Sequence, residues 1–322
     1  MRLEETMKSI LRPLAMASAF VLMATSGAFA EWKPSGPITM MIGFAAGGGA
    51  DTQARMIAEE LEKRHGWTII PEQVTGGGGA KLAAKMKGMA NDGTVIGLAV
   101  TETFGYNMVA NPKAGYSQAD ITPLTTTAGF QMGIVAQTSK GWNDFGDVIA
   151  AAKAGETIRF GTMSPKIADI AYLLGEANGV EFNIIEVKGG KAVMNGVNAG
   201  DMDIGFMAGI QAKGVAAGDL VNLASALSTP LNMSPDAKGM DAYGVDFVLD
   251  GYFVFVGPAG MPLDARKTLS SAIAAVVNDP STKAGGFVKK AFGGPTTISG
   301  AELSGLLAKD AADSEKLMNA VQ

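Results

Sequence analysis

The chain has 322 residues, with 26 Lys and Arg against 31 Asp and Glu, one histidine and no cysteine. Disulfides, thiolate catalysis and cysteine-ligated metals are excluded, no cysteine is present to accept a lipid anchor, and a zinc site or serine–histidine hydrolase would have to be built around His65 alone. The formal charge of −5 argues against nucleic acid or anionic lipid as partner, since both are held chiefly by Lys and Arg.

The first thirty residues read as a secretory signal peptide. Arg2, Lys8 and Arg12 precede an apolar run from Leu14 to Met23, which closes on the small residues Ala28-Phe29-Ala30. That run is too short to span a bilayer, which needs roughly 20 residues. Cleavage after Ala30 is expected, giving a mature chain of charge −6 in the periplasm, not a lipoprotein. A start at Met7 would leave the same mature chain.

Beyond it, short apolar runs alternate with helical patterns. Ile38 to Ile42 reads as a buried strand, followed by the loop Gly47-Gly48-Gly49-Ala50-Asp51 and a helix over Thr52 to Arg64, with Ala54, Ile57, Ala58 and Leu61 on its inward face. His65 closes that helix before Gly66, where a cationic side chain near the last carbonyls is ordinary. A strand at Thr68 to Ile70, the run Gly76 to Gly79, a helix carrying Leu82, Ala83 and Met86, and a strand at Val95 to Val100 complete a βαβαβ unit. The rhythm returns with strands at Thr157 to Gly161, Phe182 to Val187 and Asp203 to Met207, and helices at Ala168 to Asn178 and Ala192 to Ala199. Two such units predict a two-lobed α/β molecule. The crossovers are expected near Gly129 to Val135 and Tyr252 to Val256, and helices at Asp264 to Asn278 and Glu302 to Val321 are expected to pack back on the first lobe.

The two glycine-rich loops are the strongest local signal. Each follows a strand and precedes a helix, where unpaired N–H groups and the positive end of the helix dipole attract an anion. Glycine admits close approach and positive φ, and Asp51 is expected to cap its helix and fix the loop. The same glycines would also serve as plain turns, but two loops in consecutive βα units favour a carboxylate held by backbone donors. Nucleotide motifs fail: Gly43-x4-Gly48 lacks the following Lys-Ser/Thr, and Leu82 stands where a magnesium-binding hydroxyl belongs. In the second unit the matching turn is Gly161-Thr162-Met163-Ser164-Pro165-Lys166, either a Ser-Pro helix start or a site offering two hydroxyls and a cation. Lys188 reads as either an exposed lysine or a cleft residue, and Thr101 and Asp203, at strand ends, complete the candidate set.

Together these segments resemble the extracytoplasmic receptors of tripartite tricarboxylate transporters, the Bug-type receptors, over essentially the whole mature chain. The anchors are Pro37-Ile38, Phe44-Ala45-Ala46-Gly47-Gly48 with Asp51 and Ala54-Arg55, the loop Gly76-Gly77-Gly78-Gly79, and Asp92-Gly93-Thr94. Asp120 to Pro123, Lys188-Gly189-Gly190, Gly200 to Asp203 and Gly257 to Pro262 follow in order. The resemblance implies a Venus flytrap of the type II periplasmic-binding-protein class, with two crossover strands. Lobe 1 would comprise 31–130 plus 257–322, and lobe 2 would comprise 131–256. It further implies that Phe44 to Asp51 and Gly76 to Gly79 hold a ligand carboxylate through backbone groups and water, with Thr162 to Lys166 as the selectivity side. Thr162-Met163-Ser164-Pro165-Lys166 departs from the family's Ser-x-Gly-x-Gly turn, Glu186-Val187 from its Pro-Tyr, and Gly43 from its proline; Met163 with Lys166 would favour a second carboxylate. The expected partners are a small carboxylate, whether a di- or tricarboxylate or an aromatic or amino carboxylate, and integral membrane transporter subunits, with no cofactor, metal or nucleic acid, and the expected state is a monomer. A sensor subunit presenting its ligand to a membrane kinase or chemoreceptor is the alternative. A carboxylate-processing enzyme is disfavoured because no G-x-S-x-G elbow exists and His65 is badly placed for proton transfer.

Overall fold

Strand β1 (Ile38–Ile42) lies between two parallel neighbours, β2 (Ile69–Gln73) and β3 (Val95–Val100), in a computed structural model that describes residues 32–321. The expected signal peptide lies outside the described residues. β3 is buried at all six positions, as a central strand covered on both faces must be, and so its sequence is continuously apolar. Helix α1 (Gly49–His65) follows β1 and buries Ala54, Ile57, Ala58 and Leu61. It ends on Gly66 in the left-handed region, and His65 stacks on Trp67 at 4.4 Å. Helix α2 (Ala80–Met86) follows β2, and two short helices, α3 (Thr101–Phe104) and α4 (Tyr106–Val109), follow β3.

Strand β4 (Ile121–Gly129) then forms the edge of this first sheet, where Pro123 costs no ladder bond that a neighbour needs. The chain enters the second sheet at β5 (Gly133–Gln137) and continues through α5 (Phe145–Lys153), β6 (Arg159–Thr162), α6 (Pro165–Asn178), β7 (Asn183–Glu186), α7 (Gly190–Ala199), β8 (Ile204–Met207), α8 (Ala212–Ala217) and β9 (Leu220–Ser225). The order in this sheet is β7-β6-β8-β5-β9. Its core contains Phe145, Phe160, Phe182 and Phe206, with Phe160 stacked on Phe206 at 4.9 Å.

The return strand β10 (Tyr252–Pro258) inserts antiparallel between β3 and β4, so the first sheet has the order β2-β1-β3-β10-β4. Two expectations are corrected here. Tyr252 to Val256, expected as a crossover in lobe 2, is a strand of the first sheet, and Gly133 to Val135 already belong to the second. The crossings are shorter: Phe130 to Met132 outward and Gly251 on return, tied by a Phe130 N–H to Gly251 O hydrogen bond of 2.9 Å. Helices α9 (Leu263–Val277), α10 (Lys283–Phe292) and α11 (Gly300–Ala320) pack back on the first sheet and its helices; α9 covers β4, and α11 lies against α3 and α4.

At the N-terminal ends of β6 and β8 sits a buried acid. Asp203 accepts from the Arg159 backbone N–H, Nε and Nη2 at 2.9 Å each and from Lys140 Nζ at 2.5 Å. Burial opposes its charge, but the Arg159 and Lys140 bonds prevail and hold the carboxyl well below the usual carboxylate range. A carboxyl lowered on folding stabilises above its unfolded pKa of about 3.9 and loses that contribution as pH falls further. Asp203→Asn is therefore expected to destabilise by about 2 kcal/mol at neutral pH. The gap between the two melting curves should stay constant down to about pH 4 and narrow below it; a gap that widens on acidification contradicts this account.

Candidate binding cleft

Both sheets direct the C-terminal ends of their parallel strands toward each other, the usual place for a ligand in open α/β sheets. The turn from β1 to α1 is fixed by Asp51. Its Oδ2 accepts from Gly47 N–H at 2.8 Å, and its Oδ1 from Arg55 Nε at 2.8 Å and Gln73 Nε2 at 3.2 Å. Asp51, expected from the sequence to cap its helix, lies instead within the first turn, and Gly48 holds the N-cap. The Ala45 N–H donates to Lys188 O at 3.0 Å and the Gly48 N–H to Ala45 O at 3.3 Å. The donors left over here are the first N–H groups of α1, which have no partner within a helix.

The second turn is built from four successive glycines, with φ of 138°, 57°, 57° and 95° at Gly76 to Gly79. Side chains with a Cβ resist this region at a single position, let alone four. Gly78 O accepts from Thr103 Oγ1 at 2.6 Å and from Asn107 Nδ2 at 3.3 Å. A Cβ at Gly78 would stand 2.3 Å from Asn107 Nδ2 and 2.8 Å from Ser164 Cβ, so the other sheet's turn rests directly on this backbone.

On the opposing side Ser164 caps α6, its Oγ accepting from Ile167 N–H at 3.5 Å. The Lys166 N–H reaches Asn107 Oδ1 at 3.5 Å, and Tyr106 Oη donates to Asp169. With the Ala45 to Lys188 bond, these contacts hold the two lobes closed.

Closure leaves two spaces that share Phe44 and Met163. One, about 170 Å³, is lined by backbone and polar groups at Gly43, Gly76, Gly77, Gly78, Glu186 and Lys188. The other, an apolar chamber of about 50 Å³, meets the N-terminus of α1 at Gly48, Gly49 and Ala50 and that of α7 at Gly190. The two glycine loops thus open on adjoining spaces, and Phe44 of the first loop lines both. The apolar chamber is walled by Met132, Ile167 and Ile210 and by three contiguous rings, with Phe130 5.2 Å from Phe253 and Phe253 4.8 Å from Phe292. Glu102 is the one ionisable side chain among the described residues lining it, and it is 6% exposed. Burial pushes its carboxyl above the usual range, while the Lys166 ammonium, the Ser164 hydroxyl and the Asn107 amide pull the other way.

Other expected residues stand elsewhere. Asp203 lies at the far ends of its strands, engaged as described above. Lys166 turns its ammonium to Asp310 of α11, 3.9 Å away, because a buried lysine needs a counter-charge. Thr101 accepts from Tyr252 N–H at 3.1 Å and thereby ties β3 to the return crossing. Ala46 and Gly47 are exposed, and the Thr162 hydroxyl is buried without a partner. The sequence reading missed Glu102, Asn107, Phe130, Phe253 and Phe292. Glu102 was open to discovery as a lone acid directly after an all-apolar strand, whereas the phenylalanines come from segments far apart in the chain.

Residues 53–319 match the model of the tripartite tricarboxylate transporter family receptor. A UPF0065 protein of Agrobacterium vitis, from the TAR-I ttuE-ttuC' intergenic region, is 26% identical over 82% of this chain and 80% of its own. Two solved structures from Rhodopseudomonas palustris share the fold. One has adipate, at 20% identity and TM-score 0.79 over 89% of this chain and 98% of that one. The other is MatC with bound malate, at 19% identity and TM-score 0.76 over 90% and 100%.

Gly78→Ala is expected to weaken ligand binding at least tenfold, because the new methyl displaces Asn107 within the first lobe and holds off Ser164 of the second. Gly66→Ala serves as the control, since Gly66 has φ 67° but nothing within 4 Å of the added Cβ, so it reports backbone strain alone. Calorimetric titration of both variants checks this, and equal affinities in the two contradict the closure argument.

Proposed function

The chain belongs to the tripartite tricarboxylate transporter family of receptors, and on that premise we propose that it captures a small organic carboxylate between its lobes and delivers it to the integral membrane subunits of such a transporter. The family consists of periplasmic substrate-binding receptors rather than enzymes. No helix of the described residues is long and apolar enough to cross a membrane. Export by cleavage after Ala30 and action as a monomer are part of the same proposal.

The observation that carries the reading is the meeting of two helix N-termini, at Gly48 to Ala50 and at Gly190, on one largely apolar chamber inside a closed cleft. An anionic head gains from unpaired N–H groups and the positive dipole ends without any lysine or arginine. The ligand's carbon body gains about 25 cal/mol for each Å² of apolar surface it removes from water against the phenylalanines. Support for a carboxylate also comes from the malate and adipate held by the two R. palustris proteins. The adjoining space at Gly76 to Gly78 contributes further backbone. Because every peptide here is trans, the bonds to Gly78 O from Thr103 and Asn107 turn the Gly79 N–H away from those donors.

Binding should close the lobes about the paired crossings at Phe130 and Gly251. Melting temperature is expected to rise with at least one of malate, adipate or citrate, a hundredfold excess over Kd adding about 2.7 kcal/mol. Small-angle scattering with the same ligand should give a smaller radius of gyration. A flat response to every carboxylate would sink the reading, and a rise without contraction would remove the closure from it.

A further inference from the structure

We propose that Tyr106 is a positioning residue for closure: through its hydroxyl bond to Asp169 it sets how long the receptor keeps a captured ligand, and it does so without touching that ligand. The proposal rests on the carboxylate-capture reading above and adds what governs release. Tyr106 belongs to α4, a four-residue helix packed against both α11 of its own lobe and α6 of the other. Its ring is 1% exposed, and its hydroxyl donates to Asp169 of α6 across the cleft. Tyr106, Lys166, Gly251 and Tyr252 line a flank space of about 520 Å³ that has no lining residue in common with either cleft space. Removing the hydroxyl therefore leaves the walls that a ligand meets unchanged.

The other contacts between the lobes are weaker in kind. The Ala45 to Lys188 bond joins neutral backbone groups, and the Lys166 N–H reaches Asn107 only at 3.5 Å, the outer limit of a hydrogen bond. The Lys166 and Asp310 charges, 3.9 Å apart, are largely offset by their desolvation. The Tyr106 bond has an ionised acceptor, a class roughly twice as strong as bonds between neutral groups. Among the described residues no Lys or Arg nitrogen is within salt-bridge distance of Asp169, so no cation competes with the tyrosine for it. Burial, and after it the bond and charge of Asp169, push the Tyr106 hydroxyl above the ordinary tyrosine range, so it stays a donor at neutral pH. Parting the lobes breaks this bond. A ligand arrives at and leaves the open form, so a bond that exists only between closed lobes slows departure and leaves arrival unchanged.

Fluorophores at Lys63→Cys on α1 and Lys153→Cys on α5, one in each lobe of a chain that otherwise has no cysteine, report lobe separation, and stopped-flow mixing with malate, adipate or citrate gives the rates. Tyr106→Phe is expected to speed release about tenfold for every one of these that binds, with association within about twofold of the wild type. Asp169→Ala should match it, and Asp169→Asn, which keeps an acceptor, should fall between. The double variant Tyr106→Phe with Asp169→Ala should release no faster than either alone, a coupling that general loosening of the fold would not produce. Tyr172→Phe removes a half-exposed hydroxyl from the same helix and should release at the wild-type rate. Unchanged release in Tyr106→Phe, effects that add in the double variant, or a loss carried by association overturns the proposal. If none of the three carboxylates binds, the carboxylate reading fails and the lobe separation decides for Tyr106. Greater separation in Tyr106→Phe than in the wild type supports its role, and equal separation overturns it.

Discussion

The distance between the two lobes is set by backbone at Gly78, where the absence of a side chain lets Asn107 and Ser164 lie against the main chain. Everything in the closed cleft follows from that approach. Asn107 uses its amide twice, donating to Gly78 O and accepting from the Lys166 N–H across the cleft, so one side chain measures the position of both turns. The Ala45 to Lys188 bond repeats the principle on the other side, again between main chains. Contacts of this kind tolerate little variation, because a backbone group has no rotamers with which to compensate.

Charge in the cleft is arranged around Lys166. It enters from the second lobe and sits among acids of the first, close to Asp310 and within electrostatic reach of Glu102. Burial raises both acids above their ordinary range, and Lys166 lowers both. Opening the lobes would withdraw the lysine and rehydrate the carboxyls together, so the electrostatic balance of the empty cleft is itself a function of its opening. A buried ion pair contributes little net stability once desolvation is counted. The interaction thus specifies how the lobes dock more than how strongly they do so.

Much of this organisation was legible in the sequence because local rules determined it. Ile38 to Ile42 and Val95 to Val100 are strands to the residue, since apolar runs bounded by glycine or polar turns have few other solutions. Helix starts fell three residues late at α1 and α6, where Gly49-Ala50-Asp51 and Pro165-Lys166-Ile167 read as loop although they are first turns. β4 was missed because Thr122, Pro123 and the threonines 125–127 mask a strand whose burial comes from the tail helices laid over it. The glycine loops were readable as strand-to-helix turns, but not the division of the cleft into two spaces. Phe44 and Met163, from different lobes, line both spaces, and no local pattern encodes the placement of residues more than a hundred positions apart. Lys166 illustrates the same limit: its sequence neighbourhood suggests a ligand contact, and its true partner, Asp310, lies near the other end of the chain.

The pairing of Gly129 with Tyr252 has an architectural consequence. These residues are neighbours in an antiparallel ladder, so the whole second lobe is an excursion that leaves and rejoins the first at adjacent points. Were the excursion removed and the two ends joined by a tight turn, β4 and β10 would become an ordinary hairpin. The first sheet would keep its strand order. The molecule is therefore modular: one α/β body carries another as an insertion through a doorway two strands wide, and in such an arrangement the inserted body could be exchanged between relatives without rebuilding the frame that receives it.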